Sequence, residues 1–123
     1  MRRLLVIVAV LLAGCSAGSS RETHYQLGEF FISGPSLLSG DTDAITIENT
    51  GEFPHTLVVT RADGEVLTAS DLVMPGQRVT LDLSLDPGAY QFTCRIVGQG
   101  TGGQLVDHYE RGMHIAVSVS GEG

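Results

Sequence analysis

The sequence predicts an all-β fold, an antiparallel Greek-key β-sandwich of about seven to eight strands. Apolar and polar residues alternate with a period of two in several short segments, which is typical of strands with one buried face. Gly, Pro, Asp and Ser separate these segments, and no segment keeps a helical period for three turns. With 123 residues, the chain is long enough for one domain.

The N-terminus has the pattern of a secretory signal. Met1 to Arg3 is a short positive region, and Leu4 to Leu12 is an unbroken apolar run. That run is too short to span a bilayer, which takes about 20 residues, but it fits the apolar region of a signal peptide. The residues Leu12-Ala13-Gly14-Cys15 then resemble the lipobox of bacterial lipoproteins. The alternative is an ordinary signal peptide that is cut nearby.

The lipobox resemblance implies cleavage before Cys15 and diacylation of its sulfur. We therefore expect a signal peptide over residues 1–14, a lipidated tether over 15–24 and one domain over 25–121. Because more than one acyl chain anchors a protein stably, we expect the mature protein to be held on the outer side of a bacterial membrane, in the periplasm or at the cell surface.

Cysteine use points to an occupied thiol. If Cys15 carries lipid, Cys94 has no disulfide partner, since the chain has two cysteines. A free thiol in an oxidising compartment is vulnerable unless something occupies it, and a metal ion is one such occupant.

The charge balance is strongly acidic. The chain has a formal net charge of −7 with no lysine, and without Arg2 and Arg3 five arginines face fourteen acids, a net charge of −9. Such a surface repels nucleic acid phosphates, so we expect no nucleic acid partner. It would steer a basic protein partner toward the chain, although solubility alone is the competing explanation.

Turn signals divide the domain into seven predicted strands. The strongest turn is Asp86-Pro87-Gly88, and Gly34-Pro35 ends the first strand. The segment from Glu65 to Leu72 is ambiguous. The predicted strands cover Tyr25–Ser33, Ala44–Asn49, His55–Thr60, the ambiguous segment, Arg78–Leu85, Ala89–Cys94 and Met113–Val119.

The alternation also predicts which chemically active side chains face the core. His55, Cys94 and Met113 each share the parity of the apolar residues on their own strand, so all three should point inward. His114 has the opposite parity and should point outward. We therefore assign Met113, rather than His114, to the interior.

These inward residues, together with His108, suggest a copper site. A thiolate, imidazoles and a thioether are soft or borderline ligands, whereas calcium and magnesium take oxygen ligands. Two histidines, one cysteine and a weak axial methionine make up a blue-copper electron-transfer site. The predicted metal ligands are His55, Cys94, His108 and Met113.

Three segments carry a resemblance to a known family. N-T-G-E-F-P-H-T-L-V-V, P-G-A-Y-Q-F-T-C and H-Y-E-R-G-M-H-I-A-V occur in this order and resemble the cupredoxins, in particular the plastocyanin- and azurin-like group. By position, the resemblance assigns His55, Cys94 and His108 as ligands and Met113 as the axial methionine. It also implies that the backbone N–H of Thr56 hydrogen-bonds the cysteine sulfur.

The function that the resemblance implies is that of a one-electron carrier rather than an enzyme, with one type 1 copper per chain. We expect a monomer that exchanges electrons with a redox protein, such as a basic cytochrome or a membrane oxidase. Phe53 and Pro54, next to His55, would then give an apolar rim where the partner docks, or would only shape the turn before the strand.

The chain departs from the compact members of the family between its cysteine and its second histidine. Thirteen residues separate Cys94 from His108, and four of them are glycines. The glycines predict a flexible or tightly turning excursion over 95–107 rather than another strand. The entropic cost of closing a loop grows slowly with its length. Lengthening this loop by about two doublings therefore costs only about 1.2 kcal/mol.

Other functions compete with electron transfer. A copper-delivery lipoprotein would use similar ligands, although delivery sites usually expose methionine-rich or histidine-rich clusters. Copper enzymes of this fold need further histidines, and only His24 and His114 remain. Zinc would accept His, Cys, His and water, which leaves Met113 unexplained. Finally, Cys94 and Met113 could be plain core residues of a protein without metal.

Overall fold

The computed structural model describes residues 23–121, and all the regular secondary structure in this range is β-strand. The predicted signal peptide, Cys15 and nearly all of the predicted tether lie outside the described residues. Within 23–121 no helix is long and apolar enough to cross a membrane. The strands are β1 His24–Gly28, β2 Phe31–Ser33, β3 Leu37–Leu38, β4 Ala44–Asn49, β5 Val58–Arg61, β6 Val66–Ala69, β7 Arg78–Asp82, β8 Gly88–Thr93, β9 Val97–Gln99, β10 Leu105–Asp107 and β11 His114–Val119.

Two sheets form a sandwich, which confirms the predicted fold class. One sheet has the strand order β2-β1-β4-β7 and the other β3-β11-β8-β5-β6. The buried core includes Tyr25 of the first sheet and Phe92 of the second, whose ring centroids lie 5.1 Å apart. Burying a large apolar side chain contributes about 1.5–3 kcal/mol, so the alternating inward faces of the strands hold the two sheets together.

The first predicted strand is in fact a hairpin. β1 and β2 pair antiparallel, with Gln26 opposite Ser33 and Gly28 opposite Phe31, and the chain turns at Glu29 and Phe30. Tyr25 and Leu27 share one parity, whereas Phe30 and Ile32 share the other, so the alternation shifts at the turn that the single predicted strand runs through. A Cβ atom at Gly28 would lie 2.2 Å from the Phe31 ring, so a larger residue at this position would displace that ring.

Two strand pairs are parallel, whereas an antiparallel sandwich was expected. β1 pairs parallel with β4, and β3 pairs parallel with β11. Between β1 and β4 the chain passes through β3 in the opposite sheet, so β4 returns beside β1 in the same direction. Period-two alternation indicates which side chains face inward, not which way a strand runs.

The prediction of no strand over 95–107 is wrong. β9 and β10 form a separate two-stranded ribbon, with Val97 opposite Asp107. A turn joins them, in which Gly100 N–H donates to the Gln104 carbonyl at 2.8 Å and Gly103 has a φ of +79°. The glycines therefore provide the turn, and the residues on either side of it pair as strands.

Additional short strands explain why the total exceeds the predicted seven to eight. The ambiguous segment contains β6, which pairs with β5. The register of this pair shifts between Val59 and Thr60 of β5. β2, β3, β9 and β10 are two or three residues long, and so few residues cannot show a recognisable alternation.

Candidate metal centre

His55 enters the site from a short loop that follows β4. It forms an isolated bridge with Val73: His55 N–H donates to the Val73 carbonyl at 3.1 Å, and Val73 N–H donates back at 2.8 Å. Its side chain is fully buried. The bridge fixes the histidine backbone to the segment between β6 and β7, and the imidazole is buried, as predicted.

Buried Asn49 shapes the loop that leads to His55. Its side-chain amide donates to the carbonyls of Phe53 at 2.7 Å and Val73 at 2.9 Å, and its Oδ1 accepts from Gly51 N–H at 2.8 Å. Removing a partner from buried groups such as these costs about 1–3 kcal/mol each. Asn49 is therefore a structural residue of the site, to which the sequence analysis assigned no role.

Cys94 and Met113 are adjacent at the point where β8 ends and β11 begins. Cys94 N–H donates to the Met113 carbonyl at 3.0 Å, and Met113 N–H donates to the His108 carbonyl at 3.0 Å. The side chains of Cys94 and Met113 are both fully buried. Gly112 has a φ of +123°, a conformation that favours glycine and lets the chain turn between His108 and Met113.

The insertion between Cys94 and His108 does not disturb this arrangement. His108 N–H donates to the Ile96 carbonyl at 3.0 Å, so the chain returns, after the β9–β10 ribbon, to the point where it left. This hydrogen bond holds the backbone of His108 close to the segment that follows Cys94.

The structure brings three of the predicted ligands together. Nδ1 of His55 lies 3.1 Å from Nδ1 of His108, and Cys94 Sγ lies 3.6 Å from the same His108 nitrogen. The donor atoms of the three residues lie within 4.8 Å of one another, and their exposed fractions are 0%, 0% and 5% for His55, Cys94 and His108.

These separations fit a single metal ion. Metal bonds are about 2.0–2.1 Å to an imidazole nitrogen and about 2.3 Å to a thiolate, values that hold for zinc. The 3.1 and 3.6 Å separations are each shorter than the sum of two such bonds. Two imidazoles and a thiol are donors that suit copper, so the site fits one copper ion per chain. The role of Met113 as axial ligand stays a prediction.

Burial lowers the pKa of the His108 imidazole. Desolvation lowers the pKa of His108, and the nearby His55 lowers it further, while Glu29 and Asp107 oppose the shift. A neutral imidazole has a lone pair to donate, whereas the protonated ring has none. Burial therefore favours the protonation state that binds metal.

Thr56 lies beside the cysteine sulfur, as the resemblance implied, and contacts it through its side chain. The Thr56 hydroxyl oxygen is 3.9 Å from Cys94 Sγ. The implied hydrogen bond from the Thr56 backbone N–H stays a prediction.

Sequence reasoning missed two residues that contact the histidines. Glu29 Oε1 lies 3.0 Å from His55 Nε2, and the Phe30 ring meets the His108 ring edge-on at a centroid distance of 5.1 Å. Desolvation acts to raise the pKa of Glu29, but hydrogen bonds from the Phe53 N–H, His55 and the Glu52 N–H lower it overall. Glu29 and Phe30 lie in a turn within the segment that is predicted as a single strand, so the sequence reasoning assigned neither of them a role.

The other two histidines lie on separate strands. His24 begins β1, one residue earlier than the predicted domain start, and is exposed. His114 is exposed on β11, as its parity predicted. Its ring packs on Tyr109 at 4.7 Å, and the Arg95 guanidinium lies 3.9 Å from the centroid of the same tyrosine ring.

No protein-family model matches the sequence, and no curated protein matches it significantly. Solved structures do match. They include dithionite-reduced auracyanin from the photosynthetic bacterium Roseiflexus castenholzii, with a TM-score of 0.58 and 19% identity over 79% of this chain and 94% of that one. A purple cupredoxin from Nitrosopumilus maritimus gives a TM-score of 0.54 and 20% identity over 80% and 100% of the two chains.

A mutant of amicyanin in its reduced Cu(I) form at pH 4 is also similar, with a TM-score of 0.55 and 15% identity over 83% of this chain and 85% of that one. These likenesses agree with the two-sheet sandwich. The chain has the cupredoxin fold.

Proposed function

We propose that this chain is a type 1 copper protein that carries one electron at a time between redox partners. The observation that supports this best is the buried set of His55, Cys94 and His108, with the two Nδ1 atoms 3.1 Å apart. A bound copper ion would supply a one-electron couple between Cu(I) and Cu(II). The neighbours auracyanin, purple cupredoxin and amicyanin support copper as the metal.

The residues around the site suit electron transfer because they resist rearrangement. His55 is held by two backbone hydrogen bonds to Val73, and Cys94 and His108 are joined through the backbone of Met113. A rigid donor set limits how far the ligands move when the oxidation state changes. Burial of the donors also favours a carrier over a copper-delivery protein, whose ligands must be reached by an acceptor.

Apolar side chains surround the His55 end of the site. Phe53, Leu72 and Met74 are 56%, 50% and 48% exposed, and the last two flank Val73, the bridge partner of His55. We propose this patch as the place where a redox partner approaches. We also propose that the protein is anchored by a lipid on Cys15 outside the cytoplasm, on the strength of the lipobox-like sequence.

We propose no catalytic activity. A further copper centre would require more ligands close together, and the two remaining histidines, His24 and His114, lie on different sheets.

Adding Cu(II) to the purified protein tests the proposed function. We expect an intense visible band from the cysteine thiolate, the EPR spectrum of a type 1 centre and reversible one-electron voltammetry. The Cys94→Ser variant should lose the visible band and keep the circular dichroism of a β protein, because serine replaces the sulfur with little change in volume. A visible spectrum that is unaltered by Cys94→Ser would refute the ligand assignment, and copper that does not cycle reversibly would refute the carrier.

A further inference from the structure

The tip of the β1–β2 hairpin reaches both histidines of the metal centre. Glu29 Oε1 lies 3.0 Å from His55 Nε2, and the adjacent Phe30 ring stands edge-on to the His108 ring. The Phe30 carbonyl also lies where a Cβ atom on Gly112 would come within 3.1 Å of it. The hairpin therefore packs closely against the segment that carries His108.

The Glu29 carboxylate is held independently of the histidine. Its Oε1 accepts hydrogen bonds from Glu52 N–H at 2.9 Å and from Phe53 N–H at 2.8 Å. A Cβ atom at Gly51 would lie 2.3 Å from the same oxygen, so the carboxylate occupies space that only glycine leaves open. The Glu29 side chain is 24% exposed, so solvent screens it only partly.

This contact determines which nitrogen of His55 can bind a metal. An ionised carboxylate only accepts hydrogen bonds, so Nε2 of His55 must carry the proton in the contact. The neutral ring then has an unprotonated Nδ1, and this atom faces His108 Nδ1 at 3.1 Å. Histidine ligands commonly have their tautomer set by a partner on the other nitrogen.

We propose that Glu29 is a positioning residue for the metal centre: its carboxylate holds the His55 ring in the Nε2–H tautomer and places a negative charge behind the ligand. The proposal rests on the proposed copper function. The charge makes the imidazole a stronger donor and favours Cu(II) over Cu(I). Glu29 therefore lowers the reduction potential of the centre.

Three variants separate the parts of this role. Glu29→Gln keeps the size and a hydrogen-bond acceptor but removes the charge, whereas Glu29→Ala removes both. Gly51→Ala leaves residue 29 as glutamate but adds a methyl group that displaces its carboxylate. Asp71→Asn is the matched control: it removes one exposed negative charge two residues before Val73.

Three measurements test the proposal on the full chain. Nitrogen NMR of the metal-free protein should show His55 as the Nε2–H tautomer, and this preference should be lost in Glu29→Ala and Gly51→Ala. Cu(II) affinity should fall 10–100-fold in Glu29→Ala. Voltammetry should show a higher potential in Glu29→Gln, by about 59 mV for each tenfold loss of preference for Cu(II) over Cu(I), with a smaller change in Asp71→Asn.

The outcomes distinguish this inference from the proposed function. If the parent protein forms no type 1 centre, the carrier function fails, and the NMR measurement still decides whether Glu29 holds His55. If the parent protein forms the centre but Glu29→Gln shifts the potential no more than Asp71→Asn does, the electrostatic role is overturned. An Nδ1–H tautomer of His55 in the metal-free parent would overturn the positioning role.

Discussion

At the scale of single residues, the centre consists of side chains that would be unremarkable core residues if they lay apart. Cys94 and Met113 are buried among apolar neighbours, as cysteine and methionine often are. His55 and His108 differ, because two imidazoles are buried with Nδ1 facing Nδ1. A metal ion bound by both imidazoles explains this arrangement better than packing does.

Met113→Gln tests the axial ligand. The amide oxygen of glutamine is a stronger axial donor than a thioether and favours Cu(II), so we expect the variant to keep copper and to have a lower potential. Each tenfold gain in preference for Cu(II) corresponds to about 59 mV. Voltammetry should show the shift, and the exposed residue Met74 offers Met74→Gln as the control. An equal potential in Met113→Gln and the parent would make Met113 a core residue only.

Sequence reasoning found the residues whose role follows from one strand alone. His55, Cys94 and Met113 were predicted to face inward because burial of one strand face is visible as alternation. His108 belongs to no predicted strand, so alternation could not place it; the chemistry of its imidazole and the family resemblance marked it. Glu29 lies in the turn of the first hairpin and meets His55 only through the fold, so neither pattern nor resemblance identified it.

At the scale of elements, the β9–β10 ribbon is an insertion that closes on itself. Its strands pair with each other and belong to neither sheet of the sandwich. Val97 and Leu105 are 53% and 72% exposed, so the ribbon buries little of its apolar surface. The hydrogen bond between His108 N–H and the Ile96 carbonyl holds the second histidine without the ribbon.

Removing the ribbon should therefore leave the copper centre intact. Replacing residues 98–106 with Asn-Gly would join Val97 to Asp107, which already face each other across the pair, through a two-residue hairpin turn. We expect the visible spectrum to be retained. The free energy of unfolding should change by about 1 kcal/mol or less, since loop-closure entropy varies slowly with length. Loss of the visible band in a folded variant would show that the ribbon itself positions Cys94 or His108.

At the scale of the whole molecule, two features act together on a partner. The chain is acidic and has no lysine, and exposed apolar residues lie around the His55 end of the site. Charge acts over about a Debye length and speeds encounter, whereas the apolar surface permits close contact after encounter. This division favours a partner with a basic rim around an apolar contact area.

Electron transfer to a basic cytochrome should therefore depend on salt. We expect the second-order rate constant, measured by stopped flow with the copper-loaded protein, to fall as ionic strength rises, because salt screens the attraction between opposite charges. An acidic cytochrome of similar potential is the matched control, and its rate should rise with salt. Charge governs the encounter of the two proteins, whereas Phe53 belongs to the apolar surface that makes contact afterwards. Phe53→Ser should therefore lower the rate with the basic cytochrome at every ionic strength and leave its salt dependence unchanged. A rate with the basic cytochrome that does not vary with ionic strength would contradict the proposal that charge selects the partner.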